Sequence, residues 1–182
     1  LIQIKRSLRR KSTFAQAYVT QTAFLAMKIL VLGIGNTLLS DEGVGIHVLH
    51  ALGAGEPLPD AVELLDGGTL SFTLAAPIQD ADALIVVDAA NINALPGSWQ
   101  LLQSDAMDAF LLGNRKSTVH EVGLTDLRAI ALLSGHWPTR RALLAIQPQT
   151  VDWGELPTPV VAASIAPVTQ AIRTLIQEWL AA

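Results

Sequence analysis

Four side chains in this 182-residue sequence have the types and surroundings to do chemistry together: Glu42, Asp66, Asp88 and His120. Glu42 lies in GIGNTLLSDEGVG (33–45), and Asp66 closes AVELLDGG (61–68). Asp88 follows LIVV within DALIVVDAAN (82–91), and His120 stands in STVHEVGL (117–124). Glu42, Asp88 and His120 together would offer carboxylate oxygens and one imidazole nitrogen. That borderline donor set suits nickel, zinc or a similar ion, and three protein ligands leave coordination positions open. Alternatively, a carboxylate such as Asp66 or Asp88 could deprotonate a water for attack on a carbonyl.

Each residue also has a plainer reading. Glu42 could complement a helix dipole, but Gly45, Ile46 and Leu49 lie three, four and seven positions on, so it shares the inward face. Asp41 reads as a capping or dipole acid. Asp88 could cap a turn toward Asn91, and Asp66 before Gly67-Gly68 suits a turn as well as a site. His47 and His50, three apart, imitate a metal pair but face away from the apolar stripe, so both should be solvated. His136 reads as a loop residue.

Gly33 and Gly35 after an apolar run also suggest a dinucleotide loop. The third glycine of that fingerprint is replaced by Leu38, and the nearest strand-end acid, Asp66, comes too late to meet a ribose. A cofactor loop is therefore a poor fit.

The elements that must position these residues alternate between two periods. KILVLGIG (28–35), AVELLDGG (61–68), DALIVVDAAN (82–91) and RALLAIQP (141–148) are strands, and GSWQLLQ (97–103) is an edge strand. Helices are expected over DEGVGIHVLHAL (41–52), with Ser40 as N-cap, and over LSFTLAAPI (70–78) and LTDLRAIALLSG (124–135). A last helix starts at Thr158-Pro159, with apolar residues from Val161 to Trp179 on one face and Pro167 as a kink or later start. This alternation implies an α/β three-layer sandwich: a mostly parallel, twisted sheet of about five strands with helices on both faces. Ligands of such sheets bind beyond the carboxyl ends of the strands, where the four candidates collect.

Residues 27–182 read as a single domain and residues 1–26 as an N-terminal extension outside the fold. The extension holds five of the 12 basic residues; from Met27 onward seven basic face 16 acidic residues, a net of −9. An acidic body argues against nucleic-acid binding and tolerates a basic partner. No apolar run reads as a membrane span. Absence of cysteine excludes disulfides and thiolate chemistry and fits a reducing, cytoplasmic setting.

From Met27 onward the chain resembles the nickel-iron hydrogenase maturation endopeptidases. GIGNTLLSDEGVG, LLDGGT, LIVVDAAN, STVHEVGL and AIQPQTVDWG follow in family order. HEVGL and IQPQTVDWG look most like the proteases serving uptake-type hydrogenases. The resemblance implies removal of a short C-terminal extension from the hydrogenase large-subunit precursor after nickel insertion. The family's metal-contacting residues fall on Glu42, Asp88 and His120, and its second-strand acid on Asp66, where aspartic-type chemistry has been considered. Nickel is then carried by the substrate and sensed by the protease. A metal-assisted cut, or a non-catalytic nickel-binding chaperone of the same fold, are the competing expectations.

Overall fold

The structure is a computed structural model describing residues 27–69, 72–113 and 124–182. The expected extension 1–26 and His120 lie outside those residues. Five strands, β1 (Ile29–Gly33), β2 (Val62–Asp66), β3 (Ala83–Ala89), β4 (Trp99–Gln103) and β5 (Arg140–Ile146), form one sheet in the order β2-β1-β3-β5-β4. All neighbours are parallel except β4, which runs antiparallel to β5 at an edge. The strands β1 and β3 are central, and their apolar runs are buried on both faces, as parallel strands require.

The helices are α1 (Val44–Ala54), α2 (Ala75–Gln79), α3 (Asp105–Gly113), α4 (Leu124–Leu133) and α5 (Pro159–Ala181). Alternation along β1 and β3 divides their side chains between two cores. Ile29, Val31, Ile85 and Val87 pack with α1 and α5, whereas Leu30, Leu32, Leu84 and Val86 pack with α2, α3 and α4. The expected three layers are present.

Three local expectations need correction. A helix the sequence reading did not include, α3, places Met107 and Leu111 in the second core. The segment expected as one helix from 41 begins as a 3-10 turn, Ser40–Gly43, and becomes α-helical only at Val44. Finally, α5 is long and apolar enough to span a bilayer by length and composition. Its apolar stripe, Val161, Val168, Ile172, Leu175, Ile176 and Trp179, is instead buried against the sheet. Pro167 lies within this helix without ending it. An interior proline costs about 3 kcal/mol, but each buried stripe residue contributes about 1.5–3 kcal/mol, so packing prevails.

Strand order also locates the site. The chain leaves β1 for β2 on one side and returns past β1 to β3 on the other. The helix following β1 lies on one face and that following β2 on the opposite face. Connections diverge from the carboxyl ends of β1 and β3, the kind of crevice where open α/β sheets bind ligands.

Candidate active site at the carboxyl ends of β1 and β3

The glycine loop is built for backbone-to-backbone approach. Gly35 has φ +140°, and a Cβ there would strike the carbonyl oxygen of Glu42. A Cβ on Gly45 would strike the carbonyl oxygens of both Ile34 and Val87, so α1 starts directly against the ends of β1 and β3. Three bonds join the strand ends: Ile34 N–H donates to Val87 O (2.9 Å), Gly35 N–H to Gly68 O (2.8 Å) and Gly67 N–H to Gly33 O (2.9 Å). The glycines serve this close packing.

Glu42 occupies the 3-10 turn, which packs against β3. The residue is half-buried, and its Oε2 is closed off from solvent. Asp88, also half-buried, lies near the end of β3, one residue past the Gly33–Val87 register pair. Both carboxylates therefore belong to the crevice between β1 and β3.

Asp66 is placed differently. It pairs in register with Gly33 on the far side of β1, two strand spacings (about 10 Å) from β3. It has the parity of Leu64, which packs toward α1 and α5, while Asp88 has the parity of Val86 on the opposite face. Asp66 is exposed, and Gly68 N–H donates to its Oδ1 at 2.8 Å, the turn bond its sequence allowed. Among the described residues no group of three His, Asp or Glu side chains is close enough to hold a metal; the third expected ligand, His120, lies outside them.

The sequence reading quoted AIQPQTVDWG as a motif but missed how this segment is tied to the Glu42 loop. Asp41 is fully buried and is a structural anchor for residues 149–158. Its Oδ2 accepts from Gln149 N–H (2.8 Å), Thr150 N–H (3.1 Å) and the Thr158 hydroxyl (3.0 Å), and its Oδ1 accepts from Thr158 N–H (2.6 Å). Ser40 does not act as the expected N-cap. With φ 48°, it donates its hydroxyl to Asp152 O (2.9 Å) and its N–H to Gly154 O (2.7 Å). Gly154 N–H in turn donates to Leu38 O at 3.0 Å. Residues 149–158 are thus strapped along the loop that carries Glu42.

His47 is also not as expected. It is half-buried with Nε2 shut off from solvent, while His50 is exposed. Burial, then the neighbouring His50, lowers the pKa of His47, while the nearby Glu155 backbone, as an acceptor, opposes the shift. The strap therefore reaches the side of α1 that periodicity assigned to water. His136 is the loop residue expected, its Nε2 lying 2.9 Å from Ala81 O.

Comparison with known proteins identifies the family. The family model for hydrogenase maturation proteases matches residues 46–175. The hydrogenase expression/formation protein HupD of Rhodobacter capsulatus is 38% identical over 155 residues, covering 84% of this chain and 73% of that protein. The hydrogenase 2 maturation protease of Escherichia coli K12 is 35% identical over 154 residues, covering 84% and 92%. The solved hydrogenase maturating endopeptidase HybD from E. coli has a TM-score of 0.78 at 33% identity, covering 84% of this chain and 93% of that one. Sequence and fold agree, and the chain belongs to the hydrogenase maturation protease family, whose activity is that of an endopeptidase.

Proposed function

We propose that this endopeptidase removes the C-terminal extension of a nickel-iron hydrogenase large-subunit precursor once nickel has been inserted. The observation that carries the reading is the packing of the Glu42 turn against β3, beside Asp88, at the topological switch point. Glu42, Asp88 and His120 read the substrate's nickel, completing its coordination with two carboxylates and one imidazole.

Hydrolysis needs a water deprotonated as its oxygen attacks the scissile carbonyl carbon; the C–N bond then breaks and the leaving amine takes a proton. With Asp88 engaged at the metal, Asp66 is the carboxylate available as general base. A peptide crossing the end of β1 would span the roughly 10 Å from β3 to β2 with about three extended residues. Nickel and scissile bond would then sit on opposite sides of β1. The alternative is carbonyl polarisation by the substrate's nickel, with no base at Asp66. A cytoplasmic location belongs to the same proposal, and a chain without cysteine is compatible with it.

The test is to incubate the full-length chain with nickel-loaded and nickel-free precursor and weigh the products by mass spectrometry. A shortened product from the loaded precursor alone is expected. Equal cutting of both would remove the nickel-sensing role. Nickel binding without mass loss would favour the chaperone reading, which no observation now supports.

A further inference from the structure

Beside the crevice, four large apolar side chains are turned to solvent. Trp153 is 83% exposed, Leu156 74%, Val151 54% and Leu38 50%. They form one neighbourhood, because Gly154 N–H donates to Leu38 O and Leu39 forms a parallel bridge with Gly154. Their backbone is anchored. Asp41 holds both ends of the strap, and Ser40 holds its middle through Asp152 O and Gly154 O. A contiguous exposed apolar patch on a fixed backbone marks an interaction surface, and tryptophan is a frequent energetic anchor in such surfaces.

Charge indicates what kind of partner fits. Asp152 and Glu155 alternate with the apolar residues and are exposed. No Lys, Arg or His occurs between Arg141 and Arg173, nor between Lys28 and His47. The patch is therefore apolar and acidic, on a body of net −9 from Met27 onward.

We propose that Leu38, Val151, Trp153 and Leu156, with Asp152 and Glu155, dock an apolar, basic stretch of the precursor polypeptide next to the segment being cut. The proposal rests on the function proposed above and adds the partner's chemistry and its place of contact. Hydrophobic anchoring holds the complex together, and the acids speed encounter and favour a basic partner.

Processing kinetics of the nickel-loaded precursor test it, using full-length wild type, a Trp153→Ser/Leu156→Ser variant and an Asp152→Asn/Glu155→Gln variant. The apolar double substitution should raise KM tenfold or more, with the loss falling on KM rather than kcat. The charge substitution should raise KM severalfold at low salt and flatten its salt dependence. A thermal melt establishes folding; should the double variant not fold, Leu38→Ser alone should still raise KM. Unchanged KM in these variants beside an active wild type overturns the docking surface and leaves the proposed function intact. A wild type that cuts no precursor overturns the function instead. Loss of a concentration-dependent dimer on Trp153→Ser, with KM unchanged, would assign the surface to a second copy and overturn the proposal.

Discussion

Asp41 and Thr158 are joined twice, by Thr158 N–H to Oδ1 at 2.6 Å and by the Thr158 hydroxyl to Oδ2 at 3.0 Å. The pair fastens the N-terminal end of α5 to the loop that carries Glu42. Arg173, further along α5, donates to Leu52 O (3.0 Å) and Glu56 O (2.8 Å) at the other end of α1. The last helix thus holds α1 at both ends and, through Asp41, holds the crevice wall. Asp41→Ala strips the acceptor from several donors at once and should cost about 3–5 kcal/mol in urea unfolding. Thr158→Val retains its backbone N–H and should cost about 1 kcal/mol. Equal costs would mean that Asp41 is not the anchor.

The candidate site residues should separate by kinetics. Asp88→Asn, Glu42→Gln and His120→Gln should each abolish processing of a nickel-loaded precursor, because on the proposed reading each replaces a strong donor to the substrate's nickel with a weak, neutral amide. Asp66→Asn should lower kcat about 100- to 10,000-fold, the range for loss of a general base. Its melting temperature should barely move, since the asparagine oxygen can still accept from Gly68 N–H. Full activity in Asp66→Asn would leave carbonyl polarisation by the metal as the chemistry.

The sequence made the central strands legible for a physical reason. Strands β1 and β3 are buried on both sides, so their apolar runs are uninterrupted, and Asp88 stands out where β3 turns polar. Glu42 drew attention through an apparent helical spacing to Gly45, Ile46 and Leu49, although it lies in the 3-10 turn before α1. The role of Asp41 as anchor of the strap was not, because its acceptor bonds reach partners 108 to 117 residues away. His47 was misplaced for the same reason: the strap near Glu155 covers a face of α1 that local periodicity leaves to water. Helix α3 escaped notice because only Met107 and Leu111 of its nine residues are buried, with Phe110 partly so, and Ser104, before it, has φ 50°.

Gly45→Ala tests the seating of α1. The added methyl would collide with the carbonyl oxygens of Ile34 and Val87, which are backbone atoms fixed in the sheet and the strand-end ladder. Relief requires α1 to lift from the sheet, carrying the Glu42 turn with it. A cost near the upper end of the overpacking range, about 3 kcal/mol, is expected in unfolding experiments, together with reduced processing. Gly113→Ala, with nothing among the described residues within 4 Å of the added carbon, is the control and should be tolerated. A neutral Gly45→Ala would refute this seating.

The other end of the sheet carries an ion cluster whose effect should be on stability alone. Asp108 on α3 accepts from Arg128 Nη2 (3.0 Å) on α4 and from Arg141 Nε (3.1 Å) and Nη2 (3.0 Å) near the start of β5. Burial pushes the Asp108 carboxyl upward, but the bonds from Arg128 and Arg141 outweigh it and hold the pKa below its ordinary 3.8. A depressed carboxyl pKa means that the unfolded chain binds the proton first as pH falls. The stabilisation is therefore complete above the unfolded value and disappears as pH drops through the lower folded value. Asp108→Asn should cost about 2–3 kcal/mol at pH 7, because both guanidiniums lose a hydrogen-bonded carboxylate while largely shielded, Arg141 keeping only the longer pair with exposed Asp105. Urea unfolding of wild type and variant should show that gap narrowing below about pH 4. Precursor processing at pH 7 should be unaffected, since the cluster lies at the amino end of β5, away from the crevice. A gap that stays constant down to acid pH would show that Asp108 contributes through packing rather than charge.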